Sequence, residues 1–430
     1  MADKYQHQRQ SSFGWKAQSD YVTGATTASA SDATWNWLLC EPPEVTFSRE
    51  IEQRDLLEGQ SMVEGAPTIG GKHGGTVTFR GDIRSQAVGF DATSDALTSN
   101  PETALLVDFL GASVVGVYDA GDLTGVDADT WTSVGPGTYG EGEMFAWGTS
   151  ATAVLGFGVV KDYTSPTVTL LADSIGGVTP PGTGPTAGDN AFGFFNVYSS
   201  TAQPTYRTFR HVGADVEFDL NLIGASPVSL TITANARKVP TYEMTYKFTS
   251  WTYASGSFGG LKDPANFLAV PPILGNNNGR LVIDGLATVD GTADTGTCNV
   301  SNVQVTVQIE DTELDCHSAL EGVTSVVVAK RTTRATFDVP IEDSDLASNE
   351  TVWDNRLTAA TAFSLTVEVG TTPGALFGLT FPQLRVNAQP SRTVVNDNLI
   401  GVSLECAPAP YSADGTGGVA ADSAMRLHFG

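Results

Sequence analysis

Aspartates crowd one short segment, YDAGDLTGVDADTW, and their carboxylates are ligands of the kind that calcium prefers in proteins. They are Asp119, Asp122, Asp127 and Asp129. A calcium loop of the EF-hand type spaces its ligands at alternate positions around a central glycine and closes with a glutamate, and this segment lacks that spacing. The pattern therefore favours an acidic loop over a calcium site, and we expect no metal.

The patterns that mark catalytic sites are missing from the sequence, which has no nucleophile elbow, no HExxH and no Walker loop. The carboxylate pair Glu217 and Asp219 falls on one face of a strand pattern, but in so acidic a chain such a pair is typical of solvated surface. His211, beside Arg210 in a strand pattern, is interpreted as a surface or hydrogen-bonded residue. We therefore predict that the protein is not an enzyme and has no cofactor.

The four cysteines, Cys40, Cys298, Cys316 and Cys406, have no spacing typical of metal ligands. Cysteines at so low a density are typical of reduced thiols in a protein made in a cytoplasm. A bridge between Cys298 and Cys316 is an alternative, and buried free thiols are the preferred interpretation.

Composition predicts an all-β protein whose surface carries much negative charge. The chain has 430 residues and a net charge of −25, with only 17% charged residues and abundant glycine. Short apolar alternations between glycine- and threonine-rich turns favour strands over helices. The acidity argues against a protein that reads nucleic acid, but not against a surface that DNA passes without binding. No secretory signal and no membrane-spanning run is evident, so we expect no membrane partner.

Two passages of the sequence occur twice at one common offset. Residues 44–57, EVTFSREIEQRDLL, resemble 302–315, NVQVTVQIEDTELD. At the same offset TVTFRGDI (76–83) resembles RATFDVPI (334–341), with a phenylalanine at the same place in both. Because two separate blocks share the offset, we expect one supersecondary unit to be built twice.

Two weaker echoes extend this repeat after a slip in register. SNPETALLVDFLGAS (99–113) resembles SNETVWDNRLTAATA (348–362), and VSLTITANA (228–236) resembles VSLECAPA (402–409). The segment after Asn100 has a capping residue, an early proline and an apolar stripe, which predicts a short helix that ends at Gly111. A second short helix is expected over 350–362.

These patterns divide the chain into an arm, two domains, an insertion and a linker. The polar, aromatic-dotted residues 1–40 are expected to form an extended N-terminal arm outside the core. The first domain is placed at 41–250 and the second at 281–430, with a linker at 251–280. Residues 114–190 have no counterpart in the second half and predict an inserted β-rich lobe. A long glycine-rich loop is expected at 57–75, and a hairpin is expected from 206–224 and 227–236.

The order of these segments resembles that of the tail tube proteins of long-tailed bacteriophages. A polar arm enters SDYVTGATTASASDATWNWLL, and the strands REIEQRD and GGTVTFRGDI follow with a long loop between them. A short helix ending in LVDFLG, the hairpin TYRTFRHVGADVEFDLNLIGASPVSLTITAN and the terminal LTFPQLRVN…LIGVSLECAPA complete the series. The resemblance covers most of the chain except 114–190, and it lies in the order of elements rather than in one motif.

This resemblance implies two tandem tail-tube-like β-sandwich or barrel domains, each with a short flanking helix. Such domains join into rings that stack into a tail tube, a hollow conduit for genome ejection in the virion, assembled in the host cytoplasm. Three chains would supply six domains, so a trimeric ring with pseudo-sixfold symmetry is preferred, and a hexameric ring stays possible. Other tail proteins, such as the tape measure and the tail terminator, would be partners, and DNA would pass without specific binding.

An acidic lumen would repel DNA, and the paired strands supply its candidate acids. They are Glu50, Glu52, Glu217, Asp219 and Glu310. The alternatives are a virion-surface β-sandwich that acts as an adhesin, and another structural protein of the tail or head.

Overall fold

The computed structural model is mostly β-strand, with two short helices in the part of the chain that it describes, and so confirms an all-β fold with sandwich-like sheets. No helix among these residues is long and apolar enough to span a membrane. The described residues are 11–18, 35–52, 69–84, 101–115, 130–132, 143–150, 153–164, 166–170, 176–177, 186–213, 219–235, 238–254, 280–283, 302–315, 323–340, 354–360, 362–369, 376–395, 399–409 and 424–429.

The first half of the chain contains sixteen described strands and helix α1, and six of the strands form a separate small sheet. In chain order they are β1 (Ser11–Ala17), β2 (Asn36–Leu38), β3 (Glu44–Glu52), β4 (Ile69–Asp82), α1 (Pro101–Leu110), β5 (Gly111–Val115), β6 (Thr130–Thr132), β7 (Met144–Ser150), β8 (Ala153–Thr164), β9 (Thr167–Leu170), β10 (Gly176–Gly177), β11 (Asn190–Gly193), β12 (Phe195–Ser199), β13 (Arg207–Gly213), β14 (Asp219–Asn235), β15 (Thr241–Phe248) and β16 (Ser250–Ala254).

The second half continues the same large sheet system with eight described strands and a one-turn-and-a-half helix, α2, at 354–359. The strands are β17 (Arg280–Ile283), β18 (Asn302–Asp315), β19 (Val323–Pro340), β20 (Phe363–Val369), β21 (Phe377–Val386), β22 (Ser391–Val395), β23 (Leu399–Pro408) and β24 (Arg426–Phe429).

Eight of these strands form one antiparallel layer that runs through both halves. Its order is β3-β4-β15-β14 in the first half and β18-β19-β23-β22 in the second, with β14 hydrogen-bonded to β18 at the centre. Alternation in the sequence sets the two faces of this layer, because successive side chains of a strand point to opposite sides. Phe79, Met244, Leu230, Val305 and Phe337 accordingly lie on one face and are buried in the main core.

The same series of pairings occurs in both halves. The register of β4 on β15 matches that of β19 on β23, whereas β3 on β4 is shifted by two residues from the place that the sequence repeat gives it. Phe79 of β4 pairs with Met244 of β15, and Phe337, its counterpart in the sequence repeat, pairs with Leu404 of β23. Strand β15 therefore corresponds to β23. In turn β15 pairs with the C-terminal part of β14, and β23 pairs with β22, so that Thr233 and Thr393 take equivalent places.

One of the sequence echoes is corrected by these pairings. Residues 402–408 lie in β23 and take the place of β15, whereas residues 228–235 lie in β14. The resemblance of these two segments came from their shared alternation of threonine, serine and aliphatic residues, which any half-buried strand shows.

Each of the two helices is followed by a residue with positive φ. Gly111 follows α1 with a φ of 114°, and Ala360, at the matching place in the sequence echo, follows α2 with a φ of 53°. A left-handed residue commonly ends a helix, and glycine adopts it without steric cost. Ala360 carries that cost, and it is the only non-glycine residue with positive φ in the described segments. Helix α1 confirms the predicted helix. Helix α2 lies within the predicted 350–362 and ends at residue 359, and residues 350–353 lie outside the described segments.

Strand β14 differs from the predicted hairpin, because it runs unbroken through the turn expected at 224–227. Its first part, Asp219–Ile223, pairs with β13 and β16, and its second part pairs with β15 and β18. Gly224 lies between these parts with a φ of 66°, a conformation that glycine permits and that bends the strand from one layer into the other. The expected hairpin of 206–224 and 227–236 is therefore replaced by one long strand that bends at Gly224.

The described residues of the predicted arm, 11–18 and 35–40, do not lie outside the core as expected. Strand β1 pairs with β13 and β2, and its aromatic residues Phe13 and Trp15 are buried. Trp35 and Trp37 are buried as well. These aromatic residues are therefore buried within their own chain. Residues 1–10 and 19–34 lie outside the described segments. The predicted loop at 57–75 likewise ends early, since β4 begins at Ile69.

The predicted lobe forms a sheet of its own. Strands β6 to β11, within 130–193, build a six-stranded sheet with two small apolar clusters, one around Trp131 and Trp147 and one around Phe157 and Phe192. The second cluster includes Leu376 of the second half. The lobe therefore has a separate core that also touches the main body.

A buried ion pair fixes α1 to the layer beneath it. The guanidinium of Arg207 donates to both carboxylate oxygens of Asp108, each at 2.8 Å, and the hydroxyl of Tyr246 donates to the same carboxylate at 3.2 Å. Arg207 also stacks over the Trp15 ring at 4.3 Å, and the Trp15 indole donates to the carbonyl of Pro101. Burial raises the pKa of Asp108, and Arg207 opposes that shift. Helix, arm strand and core are therefore joined by one polar cluster.

We expect Asp108→Asn to lower the free energy of unfolding by about 3–5 kcal/mol, because it leaves the Arg207 charge buried without its counter-ion. Glu243→Gln is the matched control, since Glu243 pairs with Arg80 at a well-exposed position and should cost less than about 1 kcal/mol. Urea denaturation of the two variants measures both values. Equal losses would show that the buried pair is not special.

Glu102 is a second buried acid on α1, and its environment favours the protonated form. Burial raises its pKa to about 8, while backbone amides of Glu102 and Leu39 and the charge of Arg84 act in the opposite direction. Between the ordinary pKa of 4.5 and about 8, the folded state retains a proton that the unfolded state has lost. Stability therefore falls as pH rises through this window.

Replacing Glu102 by glutamine should remove this decline. Relative to the wild type, Glu102→Gln is expected to gain stability from pH 5 to pH 8, by up to about 1.4 kcal/mol per pH unit. Thermal unfolding of both proteins across that range measures the difference. A constant difference at every pH would contradict the assignment.

Candidate assembly surface

The centre of the eight-stranded layer is a junction between the two halves. Seven residues of β14, Ser229–Asn235, pair antiparallel with Gln308–Asn302 of β18. On the core face the junction buries Ile232 against Val305 and its neighbours. On the other face it presents Thr231, Thr233 and Gln304 to solvent. Two halves of similar topology are thus joined by edge strands whose backbone groups satisfy each other.

Charged side chains from one half anchor in the other around this junction. The ammonium of Lys247 lies 2.6 Å from the Asp311 carboxylate and 3.1 Å from that of Glu313. Arg331 donates to three backbone carbonyls of the first half, those of Phe109, Ser200 and Ala202, at 2.6–2.9 Å. Because the Phe109 carbonyl lies in the last turn of α1, Arg331 also places a positive charge at the negative end of that helix.

A tyrosine adds a further contact between the halves. The Tyr206 hydroxyl donates to the carbonyl of Val326 at 2.9 Å and accepts from its amide at 3.1 Å. The side-chain amide of Gln203 likewise donates to the carbonyl of Val328 and accepts from its backbone amide. Side chains thereby satisfy backbone groups along the first part of β19, where a neighbouring strand would otherwise do so.

A second set of strands, β12, β24 and β21, also joins the halves. The C-terminal strand β24 lies between β12 of the first half and β21 of the second. Its His428 is fully buried, with Nδ1 at 2.5 Å from Asn196 Oδ1 and Nε2 at 3.0 Å from Thr380 Oγ1. Burial lowers the pKa of His428 well below its usual value, so the ring is neutral. Since the Asn196 amide nitrogen donates elsewhere, Nδ1 carries the proton and Nε2 accepts from the threonine hydroxyl.

The solvent-facing side of the layer is mainly hydroxylic. We call it the open face, and its described hydroxyl and amide side chains include Thr78, Thr231, Thr233, Gln304, Thr306, Thr336 and Ser403. Its described acids include Glu44, Asp82, Glu243, Glu310, Asp338 and Glu405. Four of these lie beside bases, Asp82 with Arg84, Glu243 with Arg80, Glu310 with Lys330 and Glu405 with Arg334. The described part of the open face is therefore polar and slightly acidic, with its bases engaged by carboxylates.

The acids proposed from the sequence fall into three groups. Glu310 is exposed on the open face, 3.8 Å from Lys330. Asp219 is corrected: it is buried and accepts two hydrogen bonds from Arg210, so it presents no carboxylate to solvent. The side chains of Glu50 and Glu52, in β3, and the whole of Glu217 lie outside the described segments.

Asp219 was misplaced because the interpretation assumed that an acidic chain exposes its acids. The signal that could have located it is the basic residue Arg210, which lies on the neighbouring strand two residues from the place opposite Asp219. Glu243, opposite Arg80, and Glu405, paired diagonally with Arg334, were missed because single acids in threonine-rich strands do not stand out in the sequence.

The described residues contain no group of histidine, cysteine and acidic side chains that could hold a metal ion. Cys40 and Cys406 are free thiols, and burial raises the pKa of Cys406 to about 12, which disfavours a reactive thiolate. His211 is half-buried against Phe13, and burial lowers its pKa to about 4. The remaining candidates, Cys298, Cys316 and the four aspartates of the loop from Asp119 to Asp129, lie outside the described segments.

Comparison with known proteins gives no relative from which a role could be transferred. No protein-family model matches the sequence, and a search of curated proteins finds no match. The surfaces described above therefore carry the functional argument by themselves.

The Arg331 anchor offers a direct test of how strongly the halves depend on each other. Arg331→Lys keeps the charge but cannot reach three carbonyls in a fixed fork, so we expect a loss of about 1–3 kcal/mol in unfolding free energy. Arg334→Lys is the control, because Arg334 makes an exposed pair with Glu405 and should change stability by less than about 1 kcal/mol. Chemical denaturation distinguishes the two, and an equal effect would argue against the anchor.

Proposed function

We propose that this protein is the tail tube protein of a long-tailed bacteriophage, which assembles as rings that stack into a hollow conduit for the genome. The observation that carries the proposal is the repeated order of strands, joined through β14 and β18 into one layer. Each half is then one tube-like domain, and the chain is two such domains in tandem. A repeated unit that joins to its own copy through sheet edges is suited to building a closed ring.

The number of strands supports a ring of three chains. Eight layer strands per chain give about 24 strands in such a ring, and at about 4.8 Å per strand and a tilt near 40° the cylinder is about 45–50 Å across between opposite backbones. Barrels of 16–18 strands already enclose an aqueous channel, so a cylinder of this size leaves a wide bore even after its side chains are counted. A ring of six chains would double the strand number and stays the alternative.

The open face would line this bore, because the opposite face of the layer is filled by the core. Hydroxyls and amides on that face offer no fixed positive charge to phosphates, and its bases are engaged by carboxylates. DNA carries about one negative charge per 1.7 Å of duplex, so a slightly acidic wall within about 8 Å repels it and lets it slide. In this proposal the further partners are the tape measure and tail terminator proteins, and the site of action is the virion tail.

Electron microscopy of the purified protein tests the proposal. We expect hollow rods, and a reconstruction of those rods should give a bore with six similar sectors around three chains and a wall of negative potential. Rods with a basic bore would remove the proposed role of the charge. A protein that stays monomeric at high concentration, and in particles that contain it, would overturn the proposed function and favour the adhesin alternative.

A further inference from the structure

The eight-stranded layer ends in two free edge strands, β3 and β22. They correspond to β18 and β14, the two strands that pair at the internal junction. At one end, β3 takes the place that β18 holds in the second half, and at the other end β22 takes the place of the second part of β14. Within the described residues β3 pairs only with β4, and β22 only with β23. The two ends of the layer therefore present strand edges equivalent to the two that pair at the centre of the layer.

Burial at equivalent places differs sharply between the internal junction and these ends. Ala234, in β14, is 7% exposed, whereas its counterpart Val394 in β22 is 70% exposed. Val307, in β18, is 1% exposed, whereas Phe47 in β3 is 41% exposed. Exposed apolar residues on an open strand edge are an aggregation hazard unless a partner covers them. Both ends therefore present apolar side chains on the core side, where the internal junction buries them.

We propose that β22 of one chain pairs antiparallel with β3 of the next copy, in the register of the β14–β18 junction. This inference rests on the proposed function, and it adds the strands and the register by which the ring closes. Equivalent residues are identified by their places in the layer. Thr393 is equivalent to Thr233, because their partners Gly401 and Thr241 take equivalent places in β23 and β15. Glu44 is equivalent to Gln304, because their partners Thr78 and Thr336 are equivalent.

The internal pair Thr233–Gln304 therefore predicts that Thr393 lies opposite Glu44 of the neighbouring chain. In the same register Arg392 lies opposite Val45, and Ser391 lies opposite Thr46. This differs by two residues from the register that the sequence repeat alone would give, in which Thr393 lies opposite Thr46. A slip of two residues keeps every side chain on its face, so burial does not distinguish the two registers. The pairing of Glu44 with Thr78 in β4 selects the first register, because it makes Glu44 equivalent to Gln304.

Cysteine cross-linking tests both the partner and the register. Thr393 and Glu44 lie on the open face, so Thr393→Cys with Glu44→Cys leaves the core intact. Residues directly opposite each other lie about 4.5–5.5 Å apart at Cα, within reach of a disulfide, whereas residues displaced by two lie about 7–8 Å apart and beyond it. Thr393→Cys with Thr46→Cys is therefore the matched pair for the slipped register, and each single variant reports cross-links through native cysteines.

The expected result is that only the Thr393→Cys, Glu44→Cys protein, oxidised after assembly, gives covalent dimers and trimers on a non-reducing gel. Rods in the micrograph without this cross-link would overturn the inference and leave the proposed function standing. Cross-linking by the slipped pair instead would overturn the register. If neither rods nor covalent oligomers form with a fully folded protein, as judged by its unfolding temperature, both proposals fail together.

Discussion

Every strand edge of a sheet exposes amide and carbonyl groups that must find partners, and this requirement organises the whole molecule. At the centre of the layer β14 and β18 satisfy each other. Along β19 the side chains of Tyr206 and Gln203 replace a missing strand. At the ends of the layer, β3 and β22 would pair with other copies in the proposed ring. The internal junction shows what a satisfied edge of this chain looks like, and the proposed ring repeats it.

The sequence predicted much of the fold because its strongest signals are local. Alternation located the layer strands, and the repeat of 76–83 in 334–341 found two strands that the structure places in equivalent pairings with the same register. Helix α1 was predicted with its end at Gly111, since proline, an early acid and a following glycine act within a few residues. The insertion predicted at 114–190 stays a prediction, and the described strands β6 to β11 within 130–193 form a sheet of their own.

What the sequence could not supply depends on contacts between distant residues. The burial of Asp219 is decided by Arg210 on the neighbouring strand, and that of Phe13 and Trp15 by β13, far along the chain. The bend of β14 at Gly224 needs knowledge that a second sheet is present to receive the strand. The echo of 228–236 in 402–409 failed because strand-like composition recurs in any half-buried layer. The open face was foreseen only as acidic; its hydroxylic character follows from the pleat.

Within the described residues, the lobe of β6 to β11 occurs once, in the first half. A ring of three chains would therefore have a sixfold interior and a threefold exterior. The inner and outer surfaces of the ring would then differ in symmetry. A sheath, a fibre or a host receptor that touches the outside would find three attachment points rather than six. Gene duplication would then have uncoupled the two surfaces, so that the outside could change while the conduit kept its shape.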